Sequence, residues 1–157
     1  MTGPDPARRD RTRPTGRALG LDLGSRRIGV AVCDADRVLA TPLTVIERVG
    51  DRTVEHAAIG QLVAEHDAVL LVVGLPLSLD GSRGPTARAV LSEVKGLRRR
   101  LGLEVVTHDE RLTTVEAGHT LRDQGLSNRK SRQVVDQVAA AVILQSWIDA
   151  GPPSGSG

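Results

Sequence analysis

The chain has 157 residues, which suits one domain that buries roughly 70% of its unfolded surface, and it contains no Phe, no Tyr and one Trp. A core of Leu, Val, Ile and Ala is therefore expected, and modules that stack bases on aromatic platforms are disfavoured. The formal net charge of +2 comes from residues 1–16, which contain four arginines and two aspartates. The rest of the chain is neutral, so total charge alone gives no reason to assign a nucleic-acid partner.

Cysteine content and hydropathy limit the cellular setting. Cys33 is the only cysteine, which excludes an internal disulfide and a multi-cysteine zinc site. The longest apolar runs, such as AVLLVVGLPL, fall short of the roughly 18 residues that a membrane span needs. The basic N-terminus is not followed by a signal-peptide-like apolar segment. The sequence therefore predicts a soluble cytoplasmic protein with no membrane partner.

Both ends of the chain are rich in residues that do not pack into a core. Residues 1–16 predict a disordered basic tail and residues 151–157 a flexible C-terminal tail, which leaves one domain over residues 17–150. The first part of this domain predicts three strands joined by short turns, and hence an antiparallel meander. These strands cover Arg17 to Leu23, Arg27 to Cys33 and Val38 to Val45.

The pattern then changes to alternating helices and strands. In chain order the elements are a helix capped by Asp51 that ends near His66, the buried strand AVLLVVGL, a helix from Pro85 to Gly102, the strand LEVVTHDE, a helix from the Thr113–Glu116 capping box to about Gly125, and a helix from Arg132 to Ala150. The sequence thus predicts an α/β fold whose five-stranded mixed sheet is flanked by helices. Right-handed crossovers would bring the later strands beside the first one.

One carboxylate interrupts the first strand, within LGLDLGSRRIGVAV. Because side chains alternate along a strand, Asp22 shares its face with Gly20 and Gly24. A face without bulky side chains allows a metal ion or a phosphate to approach the backbone. The alternative is an aspartate that caps a turn at the end of the strand.

A second acidic group follows the strand LEVVT. Asp109 and Glu110 lie at its carboxyl end, where ligands usually bind in sheets of this kind, and Arg111 follows them. These residues could equally be solvated loop charges in front of a helix.

A third acid lies on the last helix. Steps of three and four residues from Asp136 reach Ala139, Ala140, Ile143 and Trp147, so this carboxylate is on the face that should meet the core. A buried carboxylate needs a partner, a proton or a cation. A salt bridge to a nearby arginine is the structural alternative.

Together, these acids could converge at one end of the sheet. At about 5 Å separation each pair would repel by about 3 kcal/mol in an effective dielectric near 20, which divalent metal would offset. Oxygen ligands favour Mg²⁺ or Mn²⁺ over zinc. His108 could shuttle a proton there, although a structural role is the simpler interpretation.

Two polar stretches indicate a phosphate-containing partner. LSNRKSR places Arg129, Lys130 and Arg132 in front of the helix that carries Asp136. The loop GLPLSLDGSRGPT holds Ser82 and Arg83 and opens onto a helix N-terminus that could accept an anion. Both stretches could also be solvated loops.

Four motifs in order resemble one known family. LGLDLGSRRIGVAVCD, VVGLPLSLDGSRGPTARAV, DERLTTVEA and VVDQVAAAVILQSWID are similar to the YqgF family of Holliday-junction-resolvase-like proteins, regarded as nucleases that mature the small-subunit ribosomal RNA precursor. The resemblance implies a ribonuclease H-like fold and a two-metal active site, with the family's acidic positions at Asp22, Glu110 and Asp136. Cys33 departs from it, since the family often has Ser there.

On this basis the chain is expected to be a nuclease with two Mg²⁺ or Mn²⁺ ions, in which Asp22 bridges both ions and the other two acids complete one each. Structured RNA is favoured over branched DNA, and the protein would act as a monomer or a homodimer. One alternative is an actin-like or sugar-kinase ATPase, because DLGSRRIGVAV also resembles the phosphate-binding strands of those enzymes. Another is a protein that binds nucleic acid without cutting it.

Overall fold

A five-stranded mixed sheet forms the centre of the structure, a computed structural model that describes residues 16–113 and 129–151. The strands are β1 (Arg17–Leu23), β2 (Arg27–Cys33), β3 (Ala40–Glu47), β4 (Ala68–Leu75) and β5 (Glu104–Asp109). Their spatial order is β3-β2-β1-β4-β5, with β1, β2 and β3 antiparallel and β4 parallel to both β1 and β5. The predicted meander, and the placement of the later strands beside the first, are confirmed.

The described helices are α1 (Arg52–Glu65), α2 (Pro85–Leu101), the short 3₁₀ helix Glu110–Leu112, and α3 (Arg129–Ala150). The predicted start of α1 is confirmed, because the Asp51 side chain accepts a hydrogen bond from the Thr53 amide at 2.9 Å. Helix α2 begins at Pro85 and ends before Gly102, whose φ of 59° is the left-handed conformation that favours glycine at this position. The element order of three strands and then alternating helices and strands is therefore as predicted.

Each face of the sheet has its own apolar layer. Helices α1 and α2 cover the face that carries Leu19, Leu21 and Val73, whereas α3 covers the face that carries Ala18 and Val72. The first face is built from large aliphatic side chains and the second largely from alanine, which lets α3 lie close to the strands. The single long helix α3 thus approaches the backbone of β1 and β2 closely enough to bring its own residues to the end of β1.

Several boundaries differ from the predictions: β3 ends at Glu47, two residues beyond the predicted Val45, and β5 is one residue shorter at each end than the predicted stretch. Strand β3 begins at Ala40, because the Val38 and Leu39 amides donate to the Asp34 carboxylate and are held in a turn. Helix α3 begins at Arg129, so the basic residues expected in front of it belong to its first turns. The predicted helix from Thr113 to about Gly125 lies almost wholly outside the described residues, as do the two predicted tails.

Within the ranges that the structure describes, no helix is both long enough and apolar enough to cross a membrane.

Candidate active site

Asp22 lies near the carboxyl end of β1, on the face that α3 covers. A Cβ atom at Gly20 would lie 2.7 Å from Leu144 Cβ and 2.9 Å from the Ala140 carbonyl oxygen, so α3 packs directly on this face. Asp22 is two residues further along the strand and points to the same side. The predicted orientation of the carboxylate, away from the leucines of β1, follows from this packing.

Asp136 comes next to Asp22 because a glycine in β2 makes room for it. Asp22 is the cross-strand partner of Gly29, and directly opposed residues point to the same face. A Cβ atom at Gly29 would overlap the Asp136 carbonyl group, so the backbone of α3 at this residue rests on β2. Asp136 is 4% exposed, which confirms the burial predicted from its helical spacing.

Glu110 reaches the same end of the sheet from β5. It begins the 3₁₀ helix directly after that strand, and its Oε1 atom is 2.8 Å from where a Cβ of Gly74 would lie. Leu21 pairs with Val73, so Gly74 and Asp22 are the next residues along two neighbouring parallel strands. The three predicted acids therefore lie at one end of the sheet and on the α3 side of it.

The carboxylate of Asp136 is engaged by an arginine. Arg27, the first residue of β2, donates from Nε to Asp136 Oδ2 at 2.5 Å, and the two side chains are 14% and 6% exposed. This is the salt bridge that the sequence left open as an alternative. In the ranges 16–113 and 129–151, no three Asp, Glu, His or Cys side chains are arranged closely enough to hold an ion. The acids share a location, and Asp136 is turned toward Arg27.

The loop with Ser82 and Arg83 is attached to the strand end that carries Glu110. Arg111 binds the Asp109 carboxylate at 2.6 Å and donates to the Leu79 carbonyl at 3.2 Å. The hydrogen bond from Arg111 holds the pKa of Asp109 below its usual range, so this pair stays charged. No hydrogen bond within the described residues joins Ser82 or Arg83 to the three acids. Arg111 was not among the predicted site residues, although its place beside Glu110 was visible in the motif.

His108 has a structural environment. Its Nε2 atom is 2.8 Å from Ser146 Oγ, and that hydroxyl donates to the Leu112 carbonyl at 3.1 Å. Because the hydroxyl proton is used in that bond, Nε2 is the donor. Burial lowers the pKa of His108, and the nearby charge of Asp109 offsets this only in part. The imidazole thus links β5 to α3 in its neutral form.

Arg132 is the one predicted basic residue of α3 whose side chain the structure describes. It precedes Asp136 by one helical turn, which places both on the same side of α3. Its Nε atom is buried and has no hydrogen-bond partner among the residues that the structure describes. The backbone of Arg129 and Lys130 lies in the first turn of α3, and their side chains are outside the described set.

A groove lies beside the β1–β2 turn that follows Asp22, on the side of the sheet that α1 and α2 cover. It has a volume of about 960 Å³ and is bordered by the turn 23–27, the segment 47–52 and the first residues of α2. Arg26, Arg27 and Arg52 are among the residues that line it. Helix α2 starts there at Pro85, and its N-cap residue, Gly84, provides no side-chain cap. No local sequence pattern predicts the groove, because its residues come from separate segments of the chain.

The floor of this groove contains a charge network that the sequence did not reveal. Arg48 donates to both oxygens of Glu93, to Glu55 and to the Gly24 carbonyl, each at 2.8 to 2.9 Å. Glu55 also accepts from the amides of residues 49 and 50. The network ties the turn that follows Asp22 to helices α1 and α2. The sequence feature that could have indicated this network is the presence of acidic residues on the inward faces of these two helices.

A family model described as RuvX, Holliday junction resolvase, matches residues 16–150. Among curated relatives, a Nocardia farcinica protein is 45% identical and is matched over 93% of this chain and 83% of its own length. A Myxococcus xanthus protein is 43% identical over 87% of this chain and 90% of its own length. Both are named "Putative pre-16S rRNA nuclease".

The fold is also found among solved structures. Thermus thermophilus RuvC in complex with a Holliday junction substrate is similar with a TM-score of 0.55, at 14% identity, over 86% of this chain and 94% of that chain. A second Thermus thermophilus RuvC structure gives a TM-score of 0.52, also at 14% identity, over 85% of this chain and 95% of that chain. At this identity the similarity concerns the fold alone, and it confirms the predicted ribonuclease H-like sheet with helices on both faces.

Proposed function

Because the chain belongs to the RuvX family of Holliday junction resolvases, we propose that it is a metal-dependent nuclease that hydrolyses phosphodiester bonds in the 5′-end maturation of pre-16S ribosomal RNA. The name shared by relatives at 43% and 45% identity supports ribosomal RNA as the substrate. The proposal includes a cytoplasmic location, where ribosomes are assembled.

The observation that carries the proposal is the common location of Asp22, Glu110 and Asp136. Three acids from a strand, a strand end and a helix lie on one side of the sheet end, beside two glycines whose missing side chains leave room there. An ATPase of the actin-like or sugar-kinase type would use Asp22 and would not require the other two acids at the same place. The family match likewise favours the nuclease.

The chemistry of these residues suits a hard divalent cation. All three offer carboxylate oxygens, which are preferred by Mg²⁺ and Mn²⁺. We propose that Asp22 is shared between two ions and that Glu110 and Asp136 each complete one of them. When bound, such ions supply an activated water and stabilise the leaving oxygen of the phosphodiester. Asp136 is paired with Arg27 through Oδ2, so a cation that takes this oxygen would replace the arginine there.

The protein's own residues would position the nucleic acid around the acids. Arg111 holds the loop that carries Ser82 and Arg83 at the strand end beside Glu110. Arg132 presents a buried guanidinium nitrogen, one turn from Asp136, that has no partner in the described part of the chain, and such a donor is suited to a phosphate oxygen. We propose that Arg129 and Lys130 extend this basic surface along the first turns of α3. Contacts of this kind hold the backbone without selecting its sequence.

A second candidate is a DNA endonuclease that resolves Holliday junctions, which the description of the family favours. A junction is two-fold symmetric, so this activity would require a homodimer, whereas a ribonuclease could act as a monomer. The two candidates share the same three acids and differ in substrate and oligomeric state.

The test compares cleavage of both substrates. A labelled RNA spanning the 5′ end of mature 16S rRNA with its precursor leader, and a four-way DNA junction, are incubated with the protein and Mg²⁺ or Mn²⁺. We expect cleavage of the RNA by the wild type and by the exposed control Asp36→Asn, and loss of cleavage in Asp22→Asn. Preferential junction cleavage would assign the DNA activity. Binding without cleavage of either substrate, or full activity in Asp22→Asn, would contradict the proposal.

A further inference from the structure

The loop between β4 and α2 is attached to the end of β5 by one side chain. Residues 78–82 of this loop are closed on themselves by two backbone hydrogen bonds, of 3.0 and 2.8 Å. Arg111, which follows β5, donates from Nη1 to the Leu79 carbonyl at 3.2 Å. Within the described residues, this is the one hydrogen bond that joins loop 78–82 to another part of the fold. The position of the loop beside Glu110 therefore depends on Arg111.

Arg111 has a defined orientation because the carboxylate of Asp109 holds it. Its Nε atom donates to both Asp109 oxygens, at 3.1 and 2.9 Å, and Nη2 donates to Oδ2 at 2.6 Å. The guanidinium lies against Gly81, where an added Cβ atom would be 3.3 Å from Nη1. Gly81 has a φ of 86°, a conformation that residues with a side chain rarely adopt. The backbone of the loop thus packs on a guanidinium that Asp109 orients.

Arg83 is the residue next to this loop that is available to a phosphate. Ser82 is engaged with Asp80, because its amide donates to that carboxylate at 2.9 Å. Hydrogen bonds from the side chain and the amide of Ser82 hold the pKa of Asp80 below its usual range, and the charge of Arg111 lowers it further. Arg83 is exposed and makes no hydrogen bond or ion pair with the residues that the structure describes. Such a guanidinium is suited to a phosphodiester oxygen.

We propose that Arg111 is a positioning residue: it holds loop 78–82 against the end of β5, so that Arg83 meets a phosphate of the RNA strand that is cut at the three acids. This inference rests on the proposed function and concerns how the same site binds its substrate. The charge of Arg111 is balanced by Asp109, so its effect on the RNA passes through Arg83. Loss of Arg111 should therefore weaken RNA binding only while Arg83 is present.

The first test is a double-mutant cycle on affinity for the labelled precursor RNA, measured with Ca²⁺ in place of Mg²⁺. Arg111→Gln alone and Arg83→Gln alone should each weaken binding about fivefold. When Arg83→Gln is already present, Arg111→Gln should change the affinity by less than about twofold, because the contact that it positions is gone. Equal effects of Arg111→Gln with and without Arg83, or no effect of Arg111→Gln alone, would overturn the proposal.

Charge must be separated from position, because Arg111→Gln also uncovers the charge of Asp109. The double variant Asp109→Asn/Arg111→Gln has the net charge of the wild type and lacks the hydrogen bond to Leu79, so it should bind the RNA as weakly as Arg111→Gln. Arg111→Lys keeps the charge without the forked donors and should stay weak as well. Wild-type affinity in either variant would assign the effect to charge and contradict the proposal. The exposed Arg99→Gln, at the other end of α2, is the matched control and should bind the RNA like the wild type.

Salt dependence and steady-state kinetics distinguish positioning from a general structural role. Arg111→Gln and Arg83→Gln should each reduce the salt slope of RNA binding by about 0.7, the value of one phosphate contact on a single strand, and their combination should reduce it no further. In Arg111→Gln we expect KM to rise about fivefold, with kcat and Mn²⁺ affinity within about twofold of the wild type. A fall in kcat as large as the rise in KM would assign Arg111 to the chemical step and contradict the proposal.

The nuclease assignment and the positioning role can fail separately. If the wild type binds the precursor RNA without cleaving it, and the effects of Arg111→Gln and Arg83→Gln are coupled as expected, the positioning role stands and the nuclease assignment does not. If the wild type cleaves the RNA and the two effects are independent, the nuclease assignment stands and the positioning role is wrong.

Discussion

Buried or half-buried carboxylates occur on both faces of the sheet, and the two groups differ in burial and in position. On the α1 and α2 face, Glu55 and Glu93 are 2% and 3% exposed, and all four carboxylate oxygens accept hydrogen bonds from identified donors. On the α3 face, Asp136 is buried and Asp22 and Glu110 are half-buried, and the three lie at the end of the sheet, where Asp136 pairs with Arg27. Burial of acids alone therefore does not distinguish a structural group from a functional one.

Charge balance and donor geometry make the first group rigid. Arg100 donates to His56 Nδ1 at 2.8 Å, and because arginine is always a donor, His56 must carry its proton on Nε2 and give it to Glu93. With His56 neutral, the two arginines balance the two glutamates. A balanced network of this kind fixes a structure, whereas we expect the acids at the sheet end to serve a cation.

The largest effect that would test this difference is on activity. Glu110→Gln keeps the shape of the side chain and removes its charge, so we expect cleavage of the precursor RNA to fall at least about a thousandfold, which corresponds to about 4 kcal/mol of transition-state stabilisation. Metal-free thermal stability should stay the same or rise, since repulsion among the acids is reduced. The measurement pairs single-turnover cleavage with thermal unfolding in EDTA.

Glu104→Gln is the matched control, because this exposed glutamate lies at the other end of β5. It should cleave like the wild type. If Glu110→Gln retained activity, or if it lost stability to the same extent as activity, Glu110 would belong with the structural carboxylates of the other face.

On the opposite face the same change should act on stability. Glu93→Gln leaves Arg48 without its main ion partner in a buried setting, and we expect a loss of about 3 kcal/mol in the free energy of unfolding, measured with urea. Cleavage per folded molecule should be within a few fold of the wild type. The exposed Glu65→Gln should change stability by less than about 0.5 kcal/mol. An activity loss in Glu93→Gln as large as that in Glu110→Gln would erase the distinction between the faces.

A glycine tests how closely the site depends on packing. In Gly29→Ala the new methyl group would overlap the Asp136 carbonyl, so α3 must shift, at a cost of about 2 kcal/mol. Because the shift moves Asp136 relative to Asp22, Mn²⁺ affinity should fall as well. Gly60→Ala is the control, since its added Cβ would meet only the end of the Leu101 side chain inside a helix, where alanine is favoured. Unchanged Mn²⁺ binding in Gly29→Ala would argue against Asp136 as a ligand.

The sequence predicts what local rules determine. The cap at Asp51, the start at Pro85, the end at Gly102 and the inward face of Asp136 follow from spacing and residue type, and the structure has them all. The start of β3, by contrast, lies later than predicted, because the hydrogen bond from the Val38 amide to the Asp34 side chain holds a turn and competes with strand pairing.

Long-range partners could not be predicted in the same way. Arg27 and Asp136 are 109 residues apart, and Arg48 and Glu93 are 45 apart. Which of the many arginines faces which acid depends on strand register and on the crossing point of a helix, and neither is encoded in a local pattern. The resemblance to a family supplied the three acids together, but only the packed glycines explain how they come to lie on the same side of one sheet end.

The smallest expected effect is the pH dependence of the structural network. Burial would raise the pKa of both Glu55 and Glu93, but hydrogen bonds outweigh this effect. The donors are the Val49 amide and Arg48 for Glu55, and Arg48 and His56 for Glu93. Both pKa values therefore lie below the ordinary range of a glutamate. A carboxyl with a lowered folded pKa contributes stability that is complete above its unfolded pKa, roughly 4.3, and is lost as the pH falls through the folded value. In urea unfolding between pH 7 and pH 3, the wild type should therefore lose more stability than Glu93→Gln, and the gap between them should narrow only below about pH 5. If the difference in unfolding free energy between the wild type and Glu93→Gln stayed constant down to pH 3, Glu93 would be held by hydrogen bonds that do not depend on its charge. The electrostatic explanation of the network would then be wrong.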